Sequence, residues 1–163
     1  MLSLVMEGPA GEGAVATSAR LADLVGALVL EQRLIEELRH AMLCQRTAIA
    51  TGDPELIEGS DYAIARTRLT LEEARRRRAL LATAVVGRPG VALSDLESFV
   101  GVLPASLLAA LEAVHHAAEV TAQELAINQR MVRQAREAGD AFLQQLFSGA
   151  SRPSDPPPQG GTR

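Results

Sequence analysis

The sequence has no tryptophan, one tyrosine and three phenylalanines, so aromatic residues make up only 2% of its 163 residues. This content is low for an enzyme pocket or a β-sandwich, since both use aromatic rings for packing and contact. A single cysteine, Cys44, excludes an intrachain disulfide and a zinc site built from cysteines. The lone thiol is consistent with a reducing compartment, and we expect a cytoplasmic location.

Lysine is also absent, and all sixteen basic residues are arginine. With twenty acidic residues the formal net charge is −4, so we expect no binding to nucleic acid or to an anionic membrane surface. The longest apolar run, Leu24–Leu30, has seven residues, whereas a membrane helix requires about 20. Met1–Met6 lacks the basic residues that open a signal peptide. We therefore expect no membrane insertion and no signal peptide.

Apolar residues make up 47% of the chain, which is enough to form a core. Three long segments are rich in Ala, Leu, Glu, Gln and Arg, which favour helices. A short segment between the second and the third begins with Ser94 and has Glu97 three residues later, the pattern of a capping box. We predict helices over residues 18–51, 54–86, 94–101 and 104–147.

The two ends of the chain have a different composition. Residues 1–17 contain four Gly or Pro and are predicted to be a flexible lead. Residues 148–163 are rich in Pro and Gly, and we predict a disordered tail. A single helical domain over residues 18–147 therefore remains between them.

The sequence Thr51-Gly52-Asp53-Pro54 predicts a tight turn between the first two helices. On both sides apolar residues recur in alternating steps of three and four, as in a coiled coil. When the chain is folded back at Gly52, residues whose numbers sum to 106 face each other: Ile49 with Ile57, Met42 with Ile64, Ile35 with Leu71, Leu28 with Arg78 and Leu21 with Val85. The pattern predicts an all-α fold, an elongated antiparallel three-helix bundle in which a coiled-coil hairpin and a third helix are joined by a short helix.

The seam, the side on which the first two helices face each other, contains four polar residues: Glu31, Gln45, Arg75 and Arg78. Glu31 is predicted to form an ion pair with Arg75 or Arg78 across the hairpin, which favours one alignment of the helices. Gln45 and, in the third helix, Asn128 have two interpretations: each specifies the alignment of helices, or each lies where a partner helix binds. For Asn128 we favour the partner, because little of the chain remains to cover the third helix after Leu125.

Two Glu-x-x-His pairs, Glu37/His40 and Glu112/His115, have the spacing found in di-iron bundles. Their positions relative to the apolar seam place both histidines outside it, so surface histidines are the better interpretation. The sequence contains no Gly-rich phosphate loop, no Gly-x-Ser-x-Gly motif and no zinc-type spacing. We expect no catalytic residues, no metal, no cofactor and no enzymatic activity.

Two stretches carry a resemblance to a known family. Gln45-Arg46 is followed by Ile49, a short acidic turn at Gly52-Asp53 and Leu56-Ile57-Glu58. Glu124 opens a stretch through Asn128, Met131 and Ala135 that is followed by Phe142-Leu-Gln-Gln-Leu146. In layout, residues 18–147 resemble the FlgN family of flagellar export chaperones.

The resemblance implies a cytoplasmic chaperone of flagellar (type III) export. Such a protein would bind the C-terminal helices of hook–filament junction proteins (FlgK-like and FlgL-like), prevent premature assembly and deliver them to an FlhA-like export gate protein. The implied client-binding residues are Leu125, Asn128, Met131, Val132, Ala135, Phe142 and Leu146. The alternative is a structural coiled-coil adaptor that forms homo-oligomers through its third long helix.

Overall fold

The computed structural model describes residues 10–150, and this part of the chain is all-helical. Its long helices are α1 (Ala10–Thr51), α2 (Pro54–Val86) and α4 (Ala105–Ala150). A 3₁₀ helix (Leu93–Asp95) and the short helix α3 (Leu96–Val100) connect α2 to α4. The predicted all-α class is confirmed for the described residues, and their helices pack as a bundle.

The outer ends of α1 and α4 differ from the sequence prediction. Helix α1 begins at Ala10 rather than near Ser18, so part of the predicted flexible lead is helical. Adding a turn to an existing helix avoids the cost of nucleation, and Glu12, Ala14 and Ala16 favour the helical state. Helix α4 ends at Ala150 and continues unbroken through Gly139. The rest of the predicted lead and tail, residues 1–9 and 151–163, lies outside the described residues.

The turn between α1 and α2 has the predicted chemistry. Gly52 adopts φ 65°, a left-handed conformation that residues with a Cβ rarely take. The Gly52 N–H donates to the Ile49 carbonyl at 3.2 Å, and the Asp53 N–H donates to the Ala48 carbonyl at 3.2 Å. Asp53 then caps α2, its Oδ1 accepting from the N–H groups of Glu55 (3.0 Å) and Leu56 (3.2 Å).

Replacing Asp53 with alanine should lower the free energy of unfolding by about 1 kcal/mol, because two N–H groups of α2 lose their side-chain acceptor. The measurement is urea unfolding followed by circular dichroism at 222 nm. Asp53→Asn is the matched control, since its carbonyl oxygen preserves the cap and should leave stability nearly unchanged. Equal losses in the two variants would show that the cap hydrogen bonds do not stabilise the turn.

The predicted capping box at the short connecting helix is wrong. Residues Leu93–Asp95 form a 3₁₀ turn instead, and Asp95 is the N-cap of α3 without a side-chain cap hydrogen bond. The Ser94 hydroxyl lies 3.1 Å from Asp95 Oδ1, and so it interacts with its neighbour rather than with the helix. Leu96, the first residue of α3, is fully buried. Burial of Leu96 rather than capping thus anchors this helix.

The core lies around α1, which packs closely against both α2 and α4, whereas α2 and α4 do not pack closely against each other. Leu24, Leu28, Met42, Leu96 and Leu107 have the largest fully buried apolar side chains. Residues further along α1 contact earlier residues of α2 and later residues of α4. Within residues 10–150, no helix combines the length and hydropathy needed to cross a membrane.

Candidate functional site

A buried carboxylate lies between α1 and α2. The Glu31 side chain is 2% exposed; its Oε1 lies 3.2 Å from Arg75 Nε and its Oε2 lies 3.0 Å from Arg78 Nη1. The two arginines are three residues apart on α2, so both can reach one carboxylate. The predicted ion pair is confirmed, with both arginines taking part. The numbers of Glu31 and Arg75 sum to 106, the value that the apolar pattern predicts.

A second polar layer connects all three long helices. Gln45 of α1 donates through Nε2 to Asp61 Oδ1 of α2, and Asn128 of α4 donates through Nδ2 to Gln45 Oε1. An ionised carboxylate is only an acceptor, so Asp61 fixes which end of the Gln45 amide faces α2. The Gln45 carbonyl is then left to accept from Asn128. Gln45 is thus bonded to two other helices of its own chain.

An ion pair that sequence reasoning missed lies beside this layer. Arg46 Nη2 of α1 binds Glu124 Oε2 of α4, and the two side chains are 16% and 27% exposed. Both residues belong to the stretches that carry the family resemblance. Since they lie on different helices 78 residues apart, the periodicity of neither helix alone indicates the pair. Together with the Asn128–Gln45 bond it ties the middle of α4 to the end of α1.

Asn128 is the one predicted client-binding residue that the structure places inside. It is 5% exposed, and its Nδ2 donates to Gln45 Oε1 of the same chain. The prediction assumed that α1 and α2 use up their apolar surface on each other. In fact α1 packs against α2 on one side and α4 on another, so it still covers α4 at the level of Asn128.

The other predicted client-binding residues lie on less covered surface. Met131 and Val132 are half-buried, Leu125 is 42% exposed, and Ala135 is exposed. Phe142 is 61% exposed and Leu146 is 54% exposed. These positions thus run from the edge of the bundle onto the free end of α4.

The last part of α4 projects beyond the hairpin. Every side chain from Arg133 to Ser148 is exposed, and we call this segment the arm. Its large apolar side chains form two neighbouring pairs at i, i+4 spacing, Phe142 with Leu146 and Leu143 with Phe147. The four are between 49% and 72% exposed. The arm therefore presents large apolar side chains at the surface of the molecule on one face.

A groove lies between α2 and α4, because both helices pack on α1 and not on each other. We call it the α2/α4 groove; it has a volume of about 440 Å³. Its lining includes Ile35, Leu38 and Met42 of α1, Ile64, Arg68 and Leu71 of α2, and Ala118, Ala122 and Leu125 of α4. Asn128 also borders it, and the buried Asn128 Oδ1 has no hydrogen-bond partner among the described residues. The charged side chains of Glu72 and Arg75 also line the groove, so its lining is mixed in polarity.

Three residues of the two Glu-x-x-His pairs, Glu37, His40 and His115, form simple surface contacts. His115 Nε2 lies 3.1 Å from Glu119 Oε1, and Glu37 pairs with Arg33 at 3.3 Å. His40 contacts the Cys44 sulfur at 3.6 Å. Among residues 10–150 there is no group of three His, Cys, Asp or Glu side chains that could hold a metal ion.

The comparisons with known proteins returned no match. This holds for protein-family models, for curated proteins and for solved structures. The geometry of the arm and the α2/α4 groove is therefore the basis for any functional conclusion.

Proposed function

We propose that this protein is a cytoplasmic, FlgN-like chaperone of flagellar (type III) export that binds helical segments of its clients. The clients would be the C-terminal helices of FlgK-like and FlgL-like junction proteins, which it would keep from assembling early and pass to an FlhA-like gate protein. The observation that carries the proposal is the arm, an extended helix whose large apolar residues are exposed on one face.

The physical basis is helix-to-helix packing. An amphipathic client helix can lay its apolar ridge along the arm, since i, i+4 pairs on one helix form ridges that fit the grooves of another. The arm offers leucine, phenylalanine and alanine but no tryptophan or tyrosine. Anchors of this kind give reversible binding, which a chaperone that must release its client requires.

The rest of the molecule would serve as scaffold. In this proposal α1, α2 and α4 form the elongated antiparallel three-helix bundle predicted from the sequence, and the Glu31 and Gln45 layers hold its helices in alignment. The protein would act without catalysis, metal or cofactor. Binding of a helix, rather than chemistry at a pocket, would be its activity.

Placing two aspartates on the arm, Phe142→Asp with Leu146→Asp, should weaken binding to the C-terminal helical segment of a FlgK-like protein. We expect the dissociation constant to rise roughly a hundredfold, because two apolar anchors are replaced by charges. Isothermal titration calorimetry with the full-length variant measures the change. The matched control is Leu69→Asp with Leu80→Asp on α2, two side chains that are 69% and 71% exposed and lie away from the arm; it should bind as the wild type does.

An unchanged affinity in the arm variant would show that the arm is not the client site. The alternative function, a coiled-coil adaptor, also uses the exposed apolar face of α4. It predicts assembly through α4 without any binding of junction-protein segments, so wild-type calorimetry without heat of binding would favour it.

A further inference from the structure

The α2/α4 groove is part of a longer trough along the bundle. A second pocket of about 430 Å³ adjoins it toward α3, and the two share Ile35, Arg75 and Ala118. We call the two together the trough. It borders α1 from Glu31 to Gln45, which is about 21 Å of helix. An open trough of this length, between two helices that both pack on a third, has the position of the missing helix of a four-helix bundle.

The two walls of the trough differ in charge. On the α4 wall the lining side chains are apolar or uncharged polar, apart from His115, which pairs with Glu119 outside the lining. The other charged lining residues are three arginines of α2 and two glutamates: Arg68, Arg75 and Arg78 with Glu31 and Glu72. The trough is therefore net positive, in a chain whose formal net charge is −4.

Both glutamates of the trough are already paired within the chain. Glu31 binds Arg75 and Arg78, and Glu72 lies 4.0 Å from Arg76, which is outside the lining. Arg68, in contrast, forms no ion pair with any residue of the described part of the chain. Arg75 binds Glu31 through Nε, but its side chain remains 50% exposed. The unbalanced positive charge thus lies along the α2 wall.

We propose that the trough binds an amphipathic helix of a partner protein that has acidic residues beside its apolar stripe, on the side facing α2. Arg68 and Arg75 are seven residues apart, so they lie on one side of α2, about 10 Å apart along its axis. Acidic residues at the same spacing on the partner helix would pair with them, as flanking charges do in coiled coils. The apolar stripe would pack on Leu38, Met42 and Ile64. This binding surface goes beyond the client-binding function, since it needs no residue of the arm.

The charges around the trough favour an acidic helix over a basic one. A basic helix would bring its cations against Arg68 and Arg75, and like charges at an interface disfavour binding. Glu72 lies between these two arginines, so the partner position opposite it should be uncharged. Nearer the turn, Asp61 accepts from Gln45 and does not line the trough.

Two designed helical peptides test the charge preference. Each has about 18 residues, enough to span the trough, and a stripe of leucines. The acidic peptide has glutamate at flanking positions seven residues apart, and the basic peptide has lysine there. We expect the acidic peptide to bind the full-length protein about tenfold more tightly in fluorescence anisotropy at low ionic strength. The net charge of the chain alone favours the basic peptide, so equal affinities, the opposite preference or no binding would overturn the proposal.

A charge reversal at one arginine locates the preference. Arg68→Glu should weaken binding of the acidic peptide about tenfold and remove its advantage over the basic peptide. Arg66→Glu is the matched control, because Arg66 is exposed on the opposite side of α2 and lines neither pocket. The two variants have the same net charge, so equal behaviour of both would contradict a role of the trough. Circular dichroism at 222 nm shows that each variant is folded.

A larger side chain in the trough tests the position of the peptide. Ala122 is exposed on the α4 wall, and Ala122→Phe should weaken binding of the acidic peptide about tenfold by occupying its space. Gln123→Phe, at an exposed neighbour outside the lining, should bind as the wild type does. Unchanged binding by Ala122→Phe would place the peptide elsewhere and overturn the proposal.

The trough and the arm can be tested separately. The charges of the arm balance, with Arg133 and Arg136 against Glu137 and Asp140, so the arm itself favours neither peptide. The double-aspartate variant of the arm should therefore keep the preference for the acidic peptide. Loss of that preference would place the peptide on the arm and overturn the trough proposal, whereas calorimetry with the FlgK-like segment tests the client-binding function by itself.

Sedimentation velocity tests whether a second copy fills the trough instead. We expect the mass of one chain, 17.3 kDa. A wild-type dimer that Ala122→Phe converts to single chains would show that the occupant is another copy, and it would overturn the proposal.

Discussion

Replacing Arg75 and Arg78 together with alanine should lower the free energy of unfolding by about 3 kcal/mol. The substitution leaves the Glu31 carboxylate, which is 2% exposed, without either of its partners. A buried charge that has lost its partner is far more costly than the pair was favourable. The arginines are 50% and 24% exposed, so water can partly take their place, and the expected loss is at the lower end for a broken buried pair.

Two comparison variants separate the cost of an unpaired buried charge from the effect of losing arginines in general. Glu31→Leu removes the charge and fills its space with apolar atoms, so stability should stay within about 1 kcal/mol of the wild type or rise. The double variant Arg76→Ala with Arg77→Ala replaces the two exposed arginines that lie between Arg75 and Arg78. It should lower the free energy of unfolding by under about 0.5 kcal/mol. Urea unfolding at 222 nm measures all three. If Glu31→Leu is as destabilising as the double arginine variant, the buried pair is a net source of stability.

Leu107→Ala should reduce the free energy of unfolding by about 3 kcal/mol, within the range measured for fully buried leucines. Leu107 is completely buried at the beginning of α4, in the same core cluster as Leu24, Leu96 and Leu103. The loss combines the transfer energy of the removed carbon atoms with the cavity that they leave. The surrounding helices are held by α3 and the polar layers, so they can close that cavity only in part.

The neighbouring residue provides the control. Leu108 is 50% exposed on the same turn of α4, so Leu108→Ala should cost under about 0.5 kcal/mol at the same protein concentration. Circular dichroism is the appropriate probe for both, because the chain has no tryptophan to report on its core. Similar losses at the two positions would mean that the start of α4 is not packed as the structure shows.

The hairpin could be predicted because its signals are local or strictly periodic. Gly52, Asp53 and Pro54 each favour one position of a helix–turn–helix connection, and their effects do not depend on distant residues. Glu31 interrupts a regular apolar series, so the alignment of α1 with α2 identifies the residues opposite it. Both predictions use one helix pair and one turn, and for these the sequence is sufficient.

The groove and the position of Asn128 could not be predicted in this way. They depend on how three helices arrange around one another, whereas a heptad pattern tells only which side of each helix is apolar. The sequence argument treated α1 as used up by α2, but α1 packs against α4 as well, and so Asn128 is buried while α2 and α4 stay apart. The Ser94–Glu97 capping box failed for a related reason, since burial of Leu96 outweighs a local hydrogen-bond preference.

The two polar layers lie two heptads apart on α1, at Glu31 and Gln45. This spacing disfavours hairpins in which α2 is displaced along α1. If α2 were displaced by one heptad toward the turn, Glu31 would face Ala82. If it were displaced by one heptad away from the turn, Glu31 would face Arg68, but Gln45 would face Pro54. Neither displaced hairpin satisfies both layers. Apolar residues alone would tolerate such a slide, so these few polar contacts give the folding chain a single lowest-energy alignment.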